Sequence, residues 1–316
     1  MRILVIGAGA VGGYFGARLA AAGRDVTFLV RGVRAEQLKS KGLQVISPQG
    51  DVTVAVPQLL LAEDLAAKPQ AFDLILLSTK AYSLEAAMED FAAAVGAETA
   101  ILPLLNGIAH LEKLVARFGE ARVLGGSTRI VADVDAEGRV HSMETLHDLN
   151  FGERDTKVTP RIEAIQAELS DAGFEAKLQP DIVAFMWQKW VFLAALGAIT
   201  CMMRGAIGEV VAVPAGRETA QAIVDETAAV SAANGYVTPA AFLEAATARL
   251  LLTGSSLTAS MYRDMMRGAP VEADHILGDM IARGAAKGVK TPLLKAAYAM
   301  LSVYAAGRSS DGARVP

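Results

Sequence analysis

The chain has 316 residues, 53% of them apolar, and its 30 basic and 34 acidic side chains leave a net charge of −4. That length suits two domains, and a near-neutral balance without a basic block argues against a nucleic-acid partner. A single cysteine, Cys201, excludes an intrachain disulfide and suits a reducing compartment. The four histidines, His110, His141, His147 and His275, form no metal-ligand cluster, so no metal is expected.

Residues 3–6 are a short, β-branched apolar run of the kind that forms a buried strand, and it breaks at Gly7-Ala8-Gly9-Ala10-Val11-Gly12. Val11, Phe15, Leu19 and Ala22 then recur at helical spacing as far as Gly23, and a second apolar strand follows over 26–30. Strand, glycine turn, helix and strand in this order point to a dinucleotide site. Gly7 permits the tight turn, Gly9 lets the backbone approach a pyrophosphate, and Gly12 allows the helix to pack closely on the strand. An acid at the end of the second strand would bind a ribose 2′-hydroxyl and repel a 2′-phosphate. The chain has Arg31 there, with Arg34 close behind, and Asp25 lies at the opposite end of the strand. NADP(H) is therefore expected over NAD(H). Because the chain starts in a core strand and shows no charged, apolar and cleavable leader, a cytoplasmic protein is expected.

Residues 35–41 read as a short helix and 43–46 as a strand, and Gln49-Gly50-Asp51 turns into a strand over 52–56. The continuous apolar run at 72–78, FDLILLS, is typical of a central parallel strand and ends at Thr79-Lys80. A helix is predicted over 84–95, then a strand over 100–105 that contains Pro103 and ends at Asn106-Gly107. Open α/β sheets bind ligands outside the carboxyl ends of their strands, where both Lys80 and Asn106 fall. A lysine there can meet a phosphate or carboxylate, and an asparagine can both donate and accept. Each is also an ordinary residue for a helix start or a turn.

Residues 123–133 and 139–144 flank the hairpin signal Asp135-Ala136-Glu137-Gly138, and 149–152 adds another strand. The sheet is thus expected to gain antiparallel strands at its far edge. An amphipathic helix over 160–173 and a strand over 175–178 follow. From Asp181 onward only helical periodicity is found, which puts the boundary at Gln179-Pro180. The expectation is an α/β domain over 1–179 and an all-α domain over 180–316, with a disordered tail from about 307.

The helical half opens on WQKWVFLAALGAITCMMR, a helix that buries nearly all round. Its apolar run over 191–203 is too short for a comfortable membrane span. Lys189, between Trp187 and Trp190, either snorkels to the surface or works in a cleft, where desolvation lowers its pKa and allows proton donation. Lys189, Leu193, Gly197, Thr200 and Arg204 share one stripe. Further on come Ser255, Ser256, Thr258 and Ser260, then Asp264, then Glu272, Asp274 and His275. On their own these are compatible with caps and solvated faces. The residues alone lead to an NADPH-dependent enzyme of unspecified substrate.

The order GAGAVGG, Arg31, LLSTKAY, LLNG, a buried WxKW helix, ASMYRD and VEADHILG resembles the ketopantoate reductase family, the 2-dehydropantoate 2-reductases of the 6-phosphogluconate dehydrogenase-like superfamily. The resemblance spans nearly the whole chain, from Gly7 to the segment around Pro292. It implies a Rossmann domain followed by an all-helical domain, with the active site in the cleft between them. Carried across, the catalytic lysine and glutamate fall on Lys189 and Glu272, the substrate-contacting serine on Ser260, and the cofactor-side lysine and asparagine on Lys80 and Asn106. The 2′-phosphate arginine falls on Arg31, and Asp264 is placed with the substrate-binding residues. The implied reaction is reduction of the 2-keto group of ketopantoate to pantoate by hydride from NADPH, in pantothenate biosynthesis.

One departure stands out. The family usually has asparagines four and eight positions after its lysine, where this chain has Leu193 and Gly197. The pocket is expected to be more apolar and roomier than the family norm, with Arg204 replacing the lost carboxylate binding. Beside ketopantoate, a different 2-keto acid and a catalytically silent NADPH-binding sensor stay open, as does an imine-reducing, opine-type dehydrogenase. Zinc-dependent hydride transfer lacks its ligands, and the absence of a Tyr-x-x-x-Lys pair argues against a short-chain dehydrogenase. By analogy alone, a homodimer through the helical domain is expected, and no membrane partner.

Overall fold

The computed structural model describes residues 1–310. The chain forms two compact units. One comprises Met1–Leu105 and His110–Phe185, and the other takes Asn106–Ala109 together with the chain from Met186 onward.

The first unit begins with β1 (Arg2–Ile6), α1 (Ala10–Ala21), β2 (Asp25–Leu29), α2 (Gly32–Lys41), β3 (Leu43–Ile46) and β4 (Val52–Val54). It continues through β5 (Gln58–Leu60), α3 (Ala62–Ala67), β6 (Leu74–Leu77), α4 (Leu84–Phe91), β7 (Ala100–Pro103) and α5 (Ala109–Phe118). Then come β8 (Gly125–Val134), β9 (Val140–Gly152), α6 (Pro160–Leu169) and β10 (Glu175–Leu178). Five strands make a parallel sheet in the order β5-β2-β1-β6-β7. β1 lies at its centre with β6 beside it, and Ile3, Leu4, Val5, Leu74, Ile75, Leu76 and Leu77 are fully buried. Their unbroken apolar character reflects cover on both faces.

The antiparallel strands assemble into a second, mixed sheet in the order β10-β9-β3-β4, with β8 also paired to β9. β9 is one continuous strand of 13 residues where two pieces are expected from the sequence. It runs antiparallel to β8 along most of its length, across a bulge between Ile130 and Ala132, and it takes β3 and β10 as parallel partners at its two ends. A parallel bridge between Ile101 of β7 and Val123, just before β8, ties this sheet to the edge of the first. Val140, Leu149 and Phe151 from β9 pack with Phe15, Leu19, Ile162, Ile165 and Leu169 in one core. The segment over 57–71 yields β5 and α3, neither of which the sequence pattern had signalled. The helix expected over 84–95 closes at Phe91 and passes into a 3₁₀ turn, Ala92–Ala94.

The second unit is helical. It takes α7 (Ile182–Met203) from Met186 onward, then α8 (Ile207–Val211), α9 (Gly216–Ala233), α10 (Ala240–Leu250) and α11 (Ser260–Met266). A π-helical turn, Asp274–Gly278, leads into α12 (Asp279–Ala286), and α13 (Pro292–Ser310) closes the described chain. α7 is long and apolar enough to cross a membrane by length and composition, yet it is mostly buried within the fold. Trp187 and Trp190 are 2% and 1% exposed, and the ring of Trp187 stacks on Tyr236 at 5.1 Å. Glu226 accepts the backbone N–H groups of Leu293 and Leu294, both at 3.0 Å, so a carboxylate from α9 caps the positive end of α13.

The expectation of a disordered tail from about 307 is corrected over its first residues. α13 continues through Gly307 to Ser310, anchored by the Tyr304 hydroxyl on the Ala269 carbonyl at 2.8 Å and by Arg308 Nε on the Gly268 carbonyl at 2.5 Å. Residues 311–316 of that tail lie outside the described residues.

Candidate functional site

The glycine turn joins β1 to α1. Gly7 sits at a φ of +88°, a conformation that side-chain-bearing residues rarely adopt. Gly12 is fixed by close approach: a Cβ there would lie 2.1 Å from Ser78 Oγ and 2.2 Å from the Gly7 carbonyl oxygen. A Cβ on Gly9 would meet nothing within 4 Å, so the backbone lies open at this point. Gly9 caps α1 without a side-chain hydrogen bond, and the first turn, which includes Ala10 and Val11, holds no acid. These features fit the pyrophosphate of a dinucleotide: exposed backbone, free helix-start N–H groups and no competing anion. Ser78, which sequence reasoning passed over, supports the turn by donating to the carbonyls of Ile6 at 2.9 Å and Gly7 at 3.1 Å. The only signal for it was a small hydroxyl at the carboxyl end of a central strand.

Arg31 follows β2, caps α2 and is exposed. Its Nε and Nη2 lie 3.1 and 2.8 Å from one oxygen of Asp90 on α4, a partner that no pattern in the sequence singles out. Arg34 behaves differently. It is half-buried, and it donates through Nε to the Ala8 carbonyl at 2.9 Å and through Nη1 to the Gly138 carbonyl at 2.8 Å. It thereby ties the glycine turn to the hairpin, and burial lowers its pKa from the usual arginine value. Lys80 is exposed just beyond β6, immediately before the 3₁₀ turn Ala81–Ser83.

In the second unit, α7 carries Lys189, half-buried between its two tryptophans. Trp190 donates its indole N–H to the Ile276 carbonyl at 3.0 Å, within the π-helical turn. Glu272 stands just before that turn and is 9% exposed. The loop Asn106–Ala109 reaches the same turn. A Cβ on Gly107, whose φ is +74°, would lie 3.0 Å from the His275 carbonyl oxygen. Residues more than 160 positions apart in sequence, Asn106-Gly107 and His275-Ile276, are therefore neighbours. The turn after Glu272 is the common support for the asparagine loop and for the helix of Lys189.

Further along α7, a second group gathers. Ser260 is the exposed first residue of α11, and the N–H of Ala259 before it faces Thr200 Oγ1 at 3.4 Å. Arg204 ends α7 in the left-handed region at a φ of +55°, exposed, and its carbonyl accepts the Tyr262 hydroxyl at 3.4 Å. Asp264 is half-buried on α11. Met261 is buried, and its Cε lies 2.8 Å from where a Cβ on Gly197 would stand. The expectation of a roomier pocket is thus corrected at Gly197: the Met261 thioether fills the space that a side chain there would take. Leu193 is half-buried. Cys201, also on α7, is fully buried, and burial pushes its thiol up to about 12, so it is no nucleophile at neutral pH.

Two family profiles match the chain: ketopantoate reductase PanE/ApbA over residues 3–156 and its C-terminal counterpart over residues 181–305. The uncharacterized oxidoreductase YkpB of Bacillus subtilis is 37% identical over 97% of this chain and 99% of its own. The 2-dehydropantoate 2-reductase of Archaeoglobus fulgidus is 32% identical over 91% of this chain and 92% of its own. Among solved structures, the 2-dehydropantoate 2-reductase of Geobacter metallireducens superposes with a TM-score of 0.87 at 27% identity, covering 96% of this chain and 99% of the other. With both family profiles matched and full-length relatives above 30% identity, the chain belongs to the ketopantoate reductase family of NADP-dependent oxidoreductases.

Proposed function

We propose that the protein reduces a 2-keto acid to the corresponding 2-hydroxy acid with NADPH, and that 2-dehydropantoate, giving pantoate for pantothenate synthesis, is its substrate. The observation that carries this reading is the convergence of the Asn106 loop, the turn after Glu272 and the Lys189 helix on one another in the second unit. Family membership supports it, as does the open glycine turn of the first unit.

When bound, the nucleotide supplies a hydride to the keto carbon. As the carbon–oxygen double bond becomes a single bond, negative charge grows on the oxygen. The Lys189 ammonium stabilises that charge and delivers the proton, so that hydride and proton together complete the alcohol. Glu272, nearly buried, holds the lysine in register or accepts a substrate hydroxyl. Asn106 positions the keto group, Ser260 and Arg204 take the carboxylate, and Asp264 completes the polar lining. Gly7 to Gly12 hold the pyrophosphate, Arg31 the 2′-phosphate, and Lys80 a further phosphate or carboxylate. A cytoplasmic site of action and a homodimer belong to the same proposal, the first resting on the lone buried cysteine.

A second reading is favoured by Leu193 and by Met261 over Gly197: the preferred 2-keto acid carries an apolar side chain in place of a hydroxylated one. A site with an apolar wall leaves a hydroxyl unpaired and discriminates against it. NADPH oxidation by the purified protein, followed by absorbance with ketopantoate and a panel of aliphatic and aromatic 2-keto acids, separates the readings. Fastest turnover with ketopantoate supports the first and fastest turnover with an apolar acid the second. Nucleotide binding without any turnover would leave a nucleotide-responsive sensor and overturn both.

A further inference from the structure

We infer that Asp90 limits the preference of this protein for 2′-phosphorylated nicotinamide nucleotides, by competing with the 2′-phosphate for the Arg31 guanidinium. The inference rests on the reading of the glycine turn as the nucleotide site. In such a site the adenosine ribose lies at the end of the second strand, so its 2′ position falls to the residues following β2. Arg31 is the first of them and the cap of α2.

Its side chain is 66% exposed, within reach of a ligand, yet two of its nitrogens share one carboxylate oxygen of Asp90, which is 29% exposed. The other acids of α4 are engaged elsewhere: Glu85 pairs with Lys113 at 2.7 Å and Glu89 with Arg117 at 3.1 Å. Arg34, the neighbouring cation, spends its Nε and Nη1 on backbone carbonyls. Its Nη2 is buried, so of the two arginines it is Arg31 that presents an exposed guanidinium, and Asp90 is the acid paired with it.

A 2′-phosphate brings between about one and a half and two negative charges at neutral pH. To pair with Arg31 it must displace the carboxylate or share the guanidinium with it, and sharing sets two anions side by side. A 2′-hydroxyl meets neither cost. Asp90 thus weakens binding of the phosphorylated nucleotide and leaves the unphosphorylated one untouched, which narrows the gap between them.

The test is direct titration of NADPH, NADH and 2′,5′-ADP into the intact protein, by calorimetry or nucleotide fluorescence, for wild type, Asp90→Asn, Arg31→Gln and the double variant. Asp90→Asn is expected to tighten NADPH and 2′,5′-ADP by about two- to fivefold, the range set by an exposed ion pair, with NADH unchanged. The gain should vanish in the Arg31→Gln background and shrink at high salt. An unchanged ratio of NADPH to NADH affinity, weaker NADPH binding, or equal shifts for both nucleotides would overturn the inference. None of these readouts needs turnover, so a failed keto-acid assay leaves it standing. A wild-type protein that binds neither nucleotide would overturn it together with the proposed function.

Discussion

The indole of Trp190 donates to the carbonyl of Ile276 at 3.0 Å, so the residue beside Lys189 is fastened to the turn that follows Glu272. Trp190→Phe keeps an aromatic ring and loses the donor. Removal of a buried hydrogen bond costs about 1–3 kcal/mol, so the melting temperature should fall. If the bond also holds Lys189 in register, kcat should fall while the NADPH Kd stays constant, which calorimetry and steady-state rates measure separately.

Lys189→Ala should lower turnover by about 10²-fold or more, the contribution of a positioned general acid, while NADPH still binds. Glu272→Gln should cost less if the carboxylate orients the lysine, and should change the pH profile of kcat. Unchanged turnover in the lysine variant would remove Lys189 from the mechanism.

Gly12→Ala should abolish tight nucleotide binding and destabilise the fold by about 1–3 kcal/mol, the usual cost of overpacking. The added carbon meets both Ser78 Oγ and the Gly7 carbonyl oxygen. Only the first can be trimmed away. Ser78→Ala should therefore fail to rescue the variant, as titration with NADPH would show.

Gly197→Asn, the family's more usual residue, meets Met261 Cε instead, the mobile end of a flexible side chain. The single variant should melt lower than wild type, and adding Met261→Ala should recover part of the loss. With Leu193→Asn in the same chain, the substrate preference among 2-keto acids should move toward hydroxylated ones; an unmoved preference would place the stripe outside the substrate wall.

The Tyr14 hydroxyl lies 2.7 Å from His147 Nδ1. Burial, and then the Arg18 charge, lower the His147 pKa below 6.5, with Glu175 and Asp148 opposing. The folded chain thus binds fewer protons than the unfolded one in this range. Stability should fall as pH drops through about 6.5 toward the folded pKa, and His147→Gln should flatten that slope in melts recorded between neutral and mildly acidic pH.

The first strand, glycine turn and helix are readable because every signal is local: an apolar run, glycines at fixed offsets, and then period 3.6. Lys189 on α7 stands out in the sequence for the same reason, since a charge inside an apolar helix is conspicuous. The mixed sheet is harder. The middle of β9, at Met143, Glu144, Thr145 and Leu146, is exposed on successive residues, so the alternation that marks a strand fades there and one strand reads as two. β5 has three residues at a sheet edge, too few for any pattern. Asp90 and Met261 are legible only in three dimensions. Their partners, Arg31 and Gly197, lie 59 and 64 positions away, and an acid on a helix or a methionine beside a serine says nothing of what it will touch.

The burial of α7 has a consequence for the protein as it is made. Tyr236, Met261 and Ile276, which cover this helix, all come after it in the chain. Trp190 and Ile276 are separated by 86 positions, which at about 5–20 residues per second is between roughly 4 and 17 seconds of translation. During that interval a 22-residue apolar helix leaves the ribosome ahead of its own cover. The nascent chain must keep it from other apolar surfaces until the last helices emerge, and slowed elongation after Met203 should aggravate aggregation more than slowed elongation in the first unit.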